Sequence, residues 1–238
     1  MKMSKKVQYI SICLDVDYSF LPCRSSSSRV KNKNIKKFCN KKFGLFQLKI
    51  EQLNLIKNID SIIVSTNDIK ILNYLKNKKY KKVLIDKRPD HLCRSTTSTD
   101  QLIKYVPTII KSGHVLWTHV TSPFFNDNDY FKAINLYKKN IKKYDSLMGV
   151  TKIQDFIYDT KKPINFNKEN DKWPRTQTLK KLFIINNSVF LTSIKNYIKY
   201  DDRIGRKPFM MDIKKVKSFD VDWPEDFKIA ENIYESLF

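Results

Sequence analysis

Two clusters near opposite ends of this 238-residue chain carry side chains that could do chemistry. The first runs from Tyr18 to Phe38, YSFLPCRSSSSRVKNKNIKKF. Apolar Phe20, Leu21 and Pro22 stop at Arg24, and four serines and a dense set of cations follow before Ile35 resumes apolar spacing. A buried strand that opens into such a loop places it outside the strand's carboxyl end, where an α/β sheet binds its ligand. Arg24, Arg29, Lys31 and Lys33 bring positive charge, and the serines bring hydroxyls and unhindered backbone donors. This is a cradle for a polyanion, with a nucleoside triphosphate the natural ligand. The second cluster is Phe219-Asp220-Val221-Asp222, followed by Trp223-Pro224-Glu225-Asp226. On a strand, residues two apart share a face, which sets the two carboxylates side by side with α-carbons about 6.6 Å apart. Such a pair repels itself unless a cation offsets it, and Mg²⁺ takes hard oxygen ligands of this kind while keeping waters for substrate phosphates. The competing reading is a solvated strand end leading into a helix, whose N-terminus favours acids. The alternation of Phe219 and Val221 with the acids predicts a strand and favours the metal.

Short apolar runs alternating with helical patterns surround these clusters, the signature of a mostly parallel α/β sheet flanked by helices. Leu45, Leu48, Leu53 and Ile56 predict a helix after the basic loop, and Ser61–Ser65 a strand. Asp68 caps a helix carrying Ile71, Leu72 and Leu75, and Val83–Ile85 is the next strand. Ser98 or Thr99 starts a helix in which Pro107 argues for a kink or an early end. His114–Thr118 is a strand, Asn126 or Asp127 opens a helix with Tyr130, Ile134 and Tyr137, and Ser146–Ile153 is a strand. From Gln154 to about residue 182 the chain turns polar and aromatic-dotted without sustained periodicity, as a lid, a loop or an oligomerisation arm would. Beyond it come a strand over Phe183–Thr192, a helix near Ser193–Tyr200, a strand over Lys217–Val221 and a helix opened by Pro224. The reading is a single domain over residues 1–238, with residues 1–16 as an N-terminal extension in which Val7–Leu14 forms an additional apolar run.

Composition removes several classes. Hydrophobic residues at 41% and aromatics at 13% exclude a disordered chain. Four glycines, at 44, 113, 149 and 205, build neither a dinucleotide fingerprint nor a Walker loop. Cys13, Cys23, Cys39 and Cys93 lack close pairing and histidine partners, so they read as free thiols in a reducing compartment. With no apolar segment of spanning length and no signal-peptide pattern, the expected location is cytoplasmic, away from any membrane. The net charge of +22 invites a nucleic-acid reading. The lysines are scattered over nearly every segment in company with Asn and Ile, however, so the charge is read as compositional bias with no specific nucleic-acid partner.

The ordered motifs resemble the sialic acid (acylneuraminate) cytidylyltransferases, and the related octulosonate cytidylyltransferases. That family carries an Arg, two residues and a Ser after its first strand, then a Lys-Asn or Lys-Pro pair; here these are Arg24, Ser27 and Lys33-Asn34, and Asn34 favours the sialic acid branch. Arg88-Pro89 with Leu92 and the Thr96–Thr99 run resembles the family's base and ribose segment, and His119-Val-Thr-Ser-Pro123 resembles a segment whose first residue, usually Gln, reaches the sugar. Arg175-Thr-Gln177 and Asn186-Asn187 resemble segments flanking a dimerisation excursion, and Asp220-x-Asp222 ahead of Pro-Glu-Asp resembles the Mg²⁺-binding pair. Trp223 stands where a small capping residue is common.

The resemblance implies a Rossmann-like fold of the nucleotide-diphospho-sugar transferase type, a homodimer built on residues 154–182, and a reaction that joins a nonulosonic acid to CMP from CTP, releasing pyrophosphate. It implies catalytic roles for Arg24, Lys33, Asp220 and Asp222, with Mg²⁺ on the two aspartates. Nucleotide contacts fall to Cys23, Arg24, Ser27, Arg29, Asn34, Arg88, Thr97 and Thr99, and sugar contacts to His119 and Asn187. Two alternatives stand beside it. One is a cytidylyltransferase for another acid sugar such as 3-deoxy-manno-octulosonate. The other is an inactive basic homologue that binds nucleic acid, suggested by the charge and by Ser26 and Ser28 in place of commoner loop residues. A bland reading also attaches to each finer assignment: the threonines can be helix caps, and a lone His after a strand is often a structural hydrogen-bonding residue.

Overall fold

The architecture is a seven-stranded sheet between two layers of helices, in a computed structural model that describes residues 16–25, 27 and 29–237. Strands β1 (Val16–Cys23), β2 (Ile59–Thr66), β3 (Val83–Lys87) and β4 (His114–Trp117) are joined through helices α1 (Gly44–Leu55), α2 (Ile69–Lys78) and α3 (Thr99–Ile109). After α4 (Asp127–Asn140) come β5 (Ser146–Ile153), β6 (Leu182–Ser193), α5 (Ile194–Tyr200), β7 (Pro208–Asp212) and α6 (Pro224–Leu237). The strand order is β3-β2-β1-β4-β6-β5-β7. All neighbours are parallel except β6, which runs antiparallel to both β4 and β5.

Side-chain alternation explains the two-sided burial. On β1, Leu21 and Cys23 enter one core with helices α1, α2, α4 and α6, while Phe20 enters the other with α3 and α5. The same division separates Leu116 from Val115 and Trp117 on β4, and Leu191 from Phe190 on β6. A sheet covered on both faces needs such continuous apolar runs. Truncating one of these fully buried side chains, Leu116 or Phe20, is expected to cost about 3–5 kcal/mol.

Helix entries follow local chemistry. Asp68 accepts from the Lys70 N–H at 2.9 Å, and Asn126 and Asp129 form a reciprocal capping box at the start of α4. At α3 the cap is Ser98, in a capping box with Gln101, so Thr99 is the first helical residue. Pro107 does not end α3, which continues to Ile109. Gly44 opens α1 with φ +64°, and a Cβ there would lie 2.2 Å from the Lys36 carbonyl oxygen, so this glycine lets the basic loop fold back onto the helix start.

The strand expected over Lys217–Val221 does not form. The Ser218 and Phe219 N–H groups donate to the Lys214 and Val216 carbonyls in a turn, and Val221 donates to Thr121 O at 2.9 Å outside any ladder. The last strand is instead β7, unanticipated because it begins at a proline and lies at the sheet edge, where a missing N–H is tolerated. Residues 154–181 are irregular apart from a 3-10 turn over Thr176–Thr178 and an isolated antiparallel bridge between Tyr158 and Pro163. Asn165, 2% exposed, organises them by accepting from Ile157 N and donating to Asp155 O, and Phe156, Phe166 and Trp173 cluster beside it. The apolar run at Val7–Leu14 lies outside the described residues. No helix among the described residues is long and apolar enough to cross a membrane.

Candidate active site

Four segments meet at the carboxyl ends of β1 and β4. The loop after β1 is held in shape by its own backbone. Asn34 donates from Nδ2 to Arg24 O at 3.1 Å and accepts from Phe46 N at 2.8 Å, which ties both loop ends to α1. Asn32, at φ +54°, takes the left-handed turn that asparagine tolerates, and its carbonyl accepts from the N–H groups of Ile35 and Lys36. Ser25 N donates to Asn67 Oδ1 at 3.0 Å, which anchors the loop to the end of β2. Arg24, Ser27, Arg29, Lys33, Asn34 and His119 then line one cleft, with Val120 and Thr121 at its base. Its volume of about 140 Å³ is below the roughly 300 Å³ at which whole-ligand pockets begin, so it fits the charged end of a larger ligand.

The segment 220–222 reaches this loop from the far end of the chain. Lys33, 8% exposed, donates from Nζ to Val221 O at 2.7 Å and to Asp222 Oδ1 at 3.1 Å. Arg29 Nη2 meets the same oxygen at 2.9 Å, and its guanidinium lies 5.1 Å from the Trp223 ring centre. Asp226, in the first turn of α6, accepts from the N–H groups of Asp222 and Trp223, which fixes the direction of Asp222. Asp220 accepts from Asn187 Nδ2 at 2.9 Å through Oδ2, while its Oδ1 is buried with no hydrogen-bond partner among the described residues. Burial is the main cause that raises the Asp220 pKa; the Asp222 charge adds to it, and the nearby Thr121 hydroxyl and the Asn187 hydrogen bond oppose it. The two acids therefore face one site although the backbone carrying them is not a strand. An orphaned carboxylate oxygen beside a second carboxylate and three cations fits a hard divalent ion that arrives with phosphates. Among the described residues no group of three or more His, Cys, Asp or Glu gathers as a metal site, here or elsewhere, so the two aspartates would hold such an ion together with waters and phosphates.

His119 closes the cleft on the β4 side. Trp117 Nε1 donates to its Nε2 at 3.0 Å, so the ring proton is on Nδ1, 3.1 Å from the Asn187 carbonyl that accepts it. Burial, reinforced by the nearby Arg203 charge, pushes the ring down to about 3. His119 is thus neutral with both nitrogens engaged, a poor arrangement for a general base.

A cytidylyltransferase family model matches residues 19–237. The chain belongs to the cytidylyltransferase family. No curated protein matches it in sequence. Among solved structures it is similar to a CMP:2-keto-3-deoxy-manno-octonic acid synthetase complexed with CTP, at 13% identity and TM-score 0.66 over 93% of this chain and 100% of that one. A 4-diphosphocytidyl-2C-methyl-D-erythritol synthase from Anaerococcus prevotii matches at 16% identity and TM-score 0.63, over 94% of this chain and 98% of that one. A cytidylyltransferase from Leptospira borgpetersenii matches at 13% identity and TM-score 0.59, over 94% and 88%. At these identities the structures establish the shared α/β fold, and the family match establishes membership.

Within this cytidylyltransferase the remaining predicted residues are dispersed. Cys23 ends β1 fully buried, its thiol pushed up to about 12 by burial. Arg88 is 5% exposed and donates from Nε to Ser65 Oγ at 3.1 Å and from Nη2 to Ser65 O, which binds the ends of β2 and β3 together. Thr97 is half-buried and Thr99 exposed, both outside the cleft; Thr97 Oγ1 donates to His91 O. Their segment still touches the site, because Arg24 Nη1 donates to Arg94 O at 3.0 Å. Asn67 and Thr121 were missed as positioning residues, since each acts through a contact made only by folding.

Proposed function

We propose that the protein transfers CMP from CTP to the anomeric hydroxyl of an acid sugar, a sialic acid or similar nonulosonic acid, with release of pyrophosphate. The observation that carries this reading is the convergence of Lys33 and Arg29 on Asp222, near the unpartnered Oδ1 of Asp220, in a member of a cytidylyltransferase family. The sugar hydroxyl attacks the α-phosphorus in line and pyrophosphate leaves, so the protein needs no covalent nucleophile. Positioning and charge neutralisation do the work. Arg24, Ser27 and Lys33 hold the triphosphate with Arg29 in support, Asn34 lies beside the ribose, and Arg88, Thr97 and Thr99 belong to the base side. His119 and Asn187 face the sugar. Asp220 and Asp222 are the residues that would hold Mg²⁺, which when bound neutralises charge on the phosphates.

A homodimer fits the exposed apolar end of β6, where Phe183, Ile184 and Ile185 are 39, 57 and 53% exposed, beside the 154–182 segment. The similar octulosonate synthetase is described as complexed with CTP, which makes octulosonate the first competitor for the acceptor. Pyrophosphate release from CTP and Mg²⁺ across sialic acid, other nonulosonic acids and octulosonate tests the reading. Turnover confined to octulosonate would replace the proposed acceptor, and no turnover with any acid sugar would reject the reaction.

A further inference from the structure

Helix α1 buries a lysine at a position where an amphipathic helix ordinarily carries an apolar side chain, on the same element as buried Phe46, Ile50 and Leu53. That lysine, Lys49, donates from Nζ to Ser122 O and Phe125 O at 2.8 Å, in the turn that follows β4. Gln52, three residues further along α1, donates from Nε2 to Pro123 O at 2.9 Å. Two side chains of one helix thus hold three carbonyls within residues 122–125. These carbonyls are buried outside any ladder and need such donors. The same turn grips the acid pair. Thr121, which precedes Ser122 and lines the cleft, accepts from Val221 N at 2.9 Å, and Val221 is the fully buried residue between Asp220 and Asp222. The first turn of α1 holds the other half of the site, because Phe46 N donates to Asn34 O at 2.8 Å, one residue beyond Lys33.

The path from Lys49 to the acids is short. It runs from Nζ to Ser122 O, across one peptide to Thr121 O, and over a hydrogen bond to Val221 N. Lys49 itself does not line the cleft, so it has no contact with a ligand there. What it can set is distance: α1 holds the loop that carries Lys33 at one point and the turn that carries residues 220–222 at another. A misplacement of about 1 Å in such a constellation costs on the order of a hundredfold in rate. We propose that Lys49, with Gln52 in support, is a positioning residue that fixes the 119–125 turn and, through Thr121, holds Asp220 and Asp222 opposite Lys33. The catalytic consequence rests on the transfer reaction proposed above; the positioning itself does not.

Amide hydrogen exchange, followed by NMR on the metal-free full-length protein, reads the positioning without CTP or an acid sugar. The quantity to compare is the exchange rate of Val221 divided by that of Val64, which is fully buried on β2. In Lys49→Met this ratio should rise about tenfold or more over wild type. Leu75→Ala, which truncates a buried side chain of the same core cluster on α2, is the control for lost stability and should not raise it. With CTP, Mg²⁺ and an acid sugar, Lys49→Met should lower kcat about ten- to a hundredfold while the KM for CTP changes less than about threefold. Leu75→Ala should keep the wild-type kcat at a temperature where it is folded. Gln52→Leu, which removes one donor and leaves the ammonium in place, should shift the ratio and kcat in the same directions by a few-fold, so the proposal stays testable if Lys49→Met fails to fold. An unchanged Val221 ratio, or a kcat that falls no further than in Leu75→Ala, overturns the proposal and leaves Lys49 a core residue. If wild type turns over no acid sugar, the transferase reading falls, while the exchange ratio still decides whether Lys49 holds residues 220–222.

Discussion

Lys49, fully buried, and Arg203, half-buried, are cations on opposite faces of the sheet in one domain, and their surroundings differ. Lys49, on α1 and fully buried, donates to Ser122 O and Phe125 O at 2.8 Å and to Tyr130 Oη at 2.9 Å. Tyr130 passes its proton toward Thr118 Oγ1 at 2.6 Å, and Thr118 donates to Ser188 O at 2.8 Å. Burial drives the Lys49 pKa well down, with Asp129 opposing and Lys217 reinforcing, yet the ammonium form is the one whose three protons fill all three contacts. This closed network fixes the 118–125 turn beneath His119 and links it to β6 beside Asn187. Arg203 has aromatic faces and an open Nη1. Asp220 Oδ1, open in the same way, lies beside Asp222 at the candidate active site. The three protons of Lys49 are all used, whereas one nitrogen of Arg203 is not.

The largest effect that can break this contrast is at the open edge. Asp222→Ala should lower turnover about a thousandfold, the scale of losing a preorganised electrostatic group, with little change in melting temperature. Near-normal pyrophosphate release would remove the metal assignment. Lys49→Met strands two carbonyls and a hydroxyl, and should cost about 3 kcal/mol in denaturant unfolding. Arg203→Met should cost nothing or stabilise, so equal losses at the two sites would erase the distinction. Lys33→Ala should reduce the catalytic rate about ten- to a hundredfold, more than it weakens CTP binding; an effect confined to affinity would reduce Lys33 to a binding residue.

The smallest effect concerns pH. His119 has a folded pKa depressed from 6.5 to about 3. Above pH 6.5 both folded and unfolded chains hold it neutral. Between there and pH 3 only the unfolded chain takes up the proton, so stability falls as pH falls, by an amount on the order of a few kcal/mol at the acid limit. His119→Gln should flatten that part of the melting temperature against pH, and an unchanged acid limb would contradict the neutral, doubly engaged ring.

Much of the scaffold was readable because it is local. The strand ending at Cys23, the caps at Asp68 and Asn126, and the proline-led last helix each depend on residues a few positions apart. The acid pair was recognised for a partly mistaken reason. Val221 is indeed fully buried, but its backbone bonds go to Thr121 and Lys33, so the facing of Asp220 and Asp222 comes from tertiary contacts and the Asp226 cap. β7 escaped because proline and aspartate bound it and the strand owes its existence to β5. Lys49 and Arg203 gave no local signal at all, since one occupies an apolar position of a helix and the other a polar turn, and only folding shows which is satisfied.

The most direct test measures pyrophosphate released from CTP and Mg²⁺ by wild-type protein and Asp222→Ala on adding an acid sugar. The account predicts release stoichiometric with CMP-sugar in wild type and its loss in the folded variant. CTP left unconsumed by wild type with sialic acids, other nonulosonic acids and octulosonate alike would contradict it.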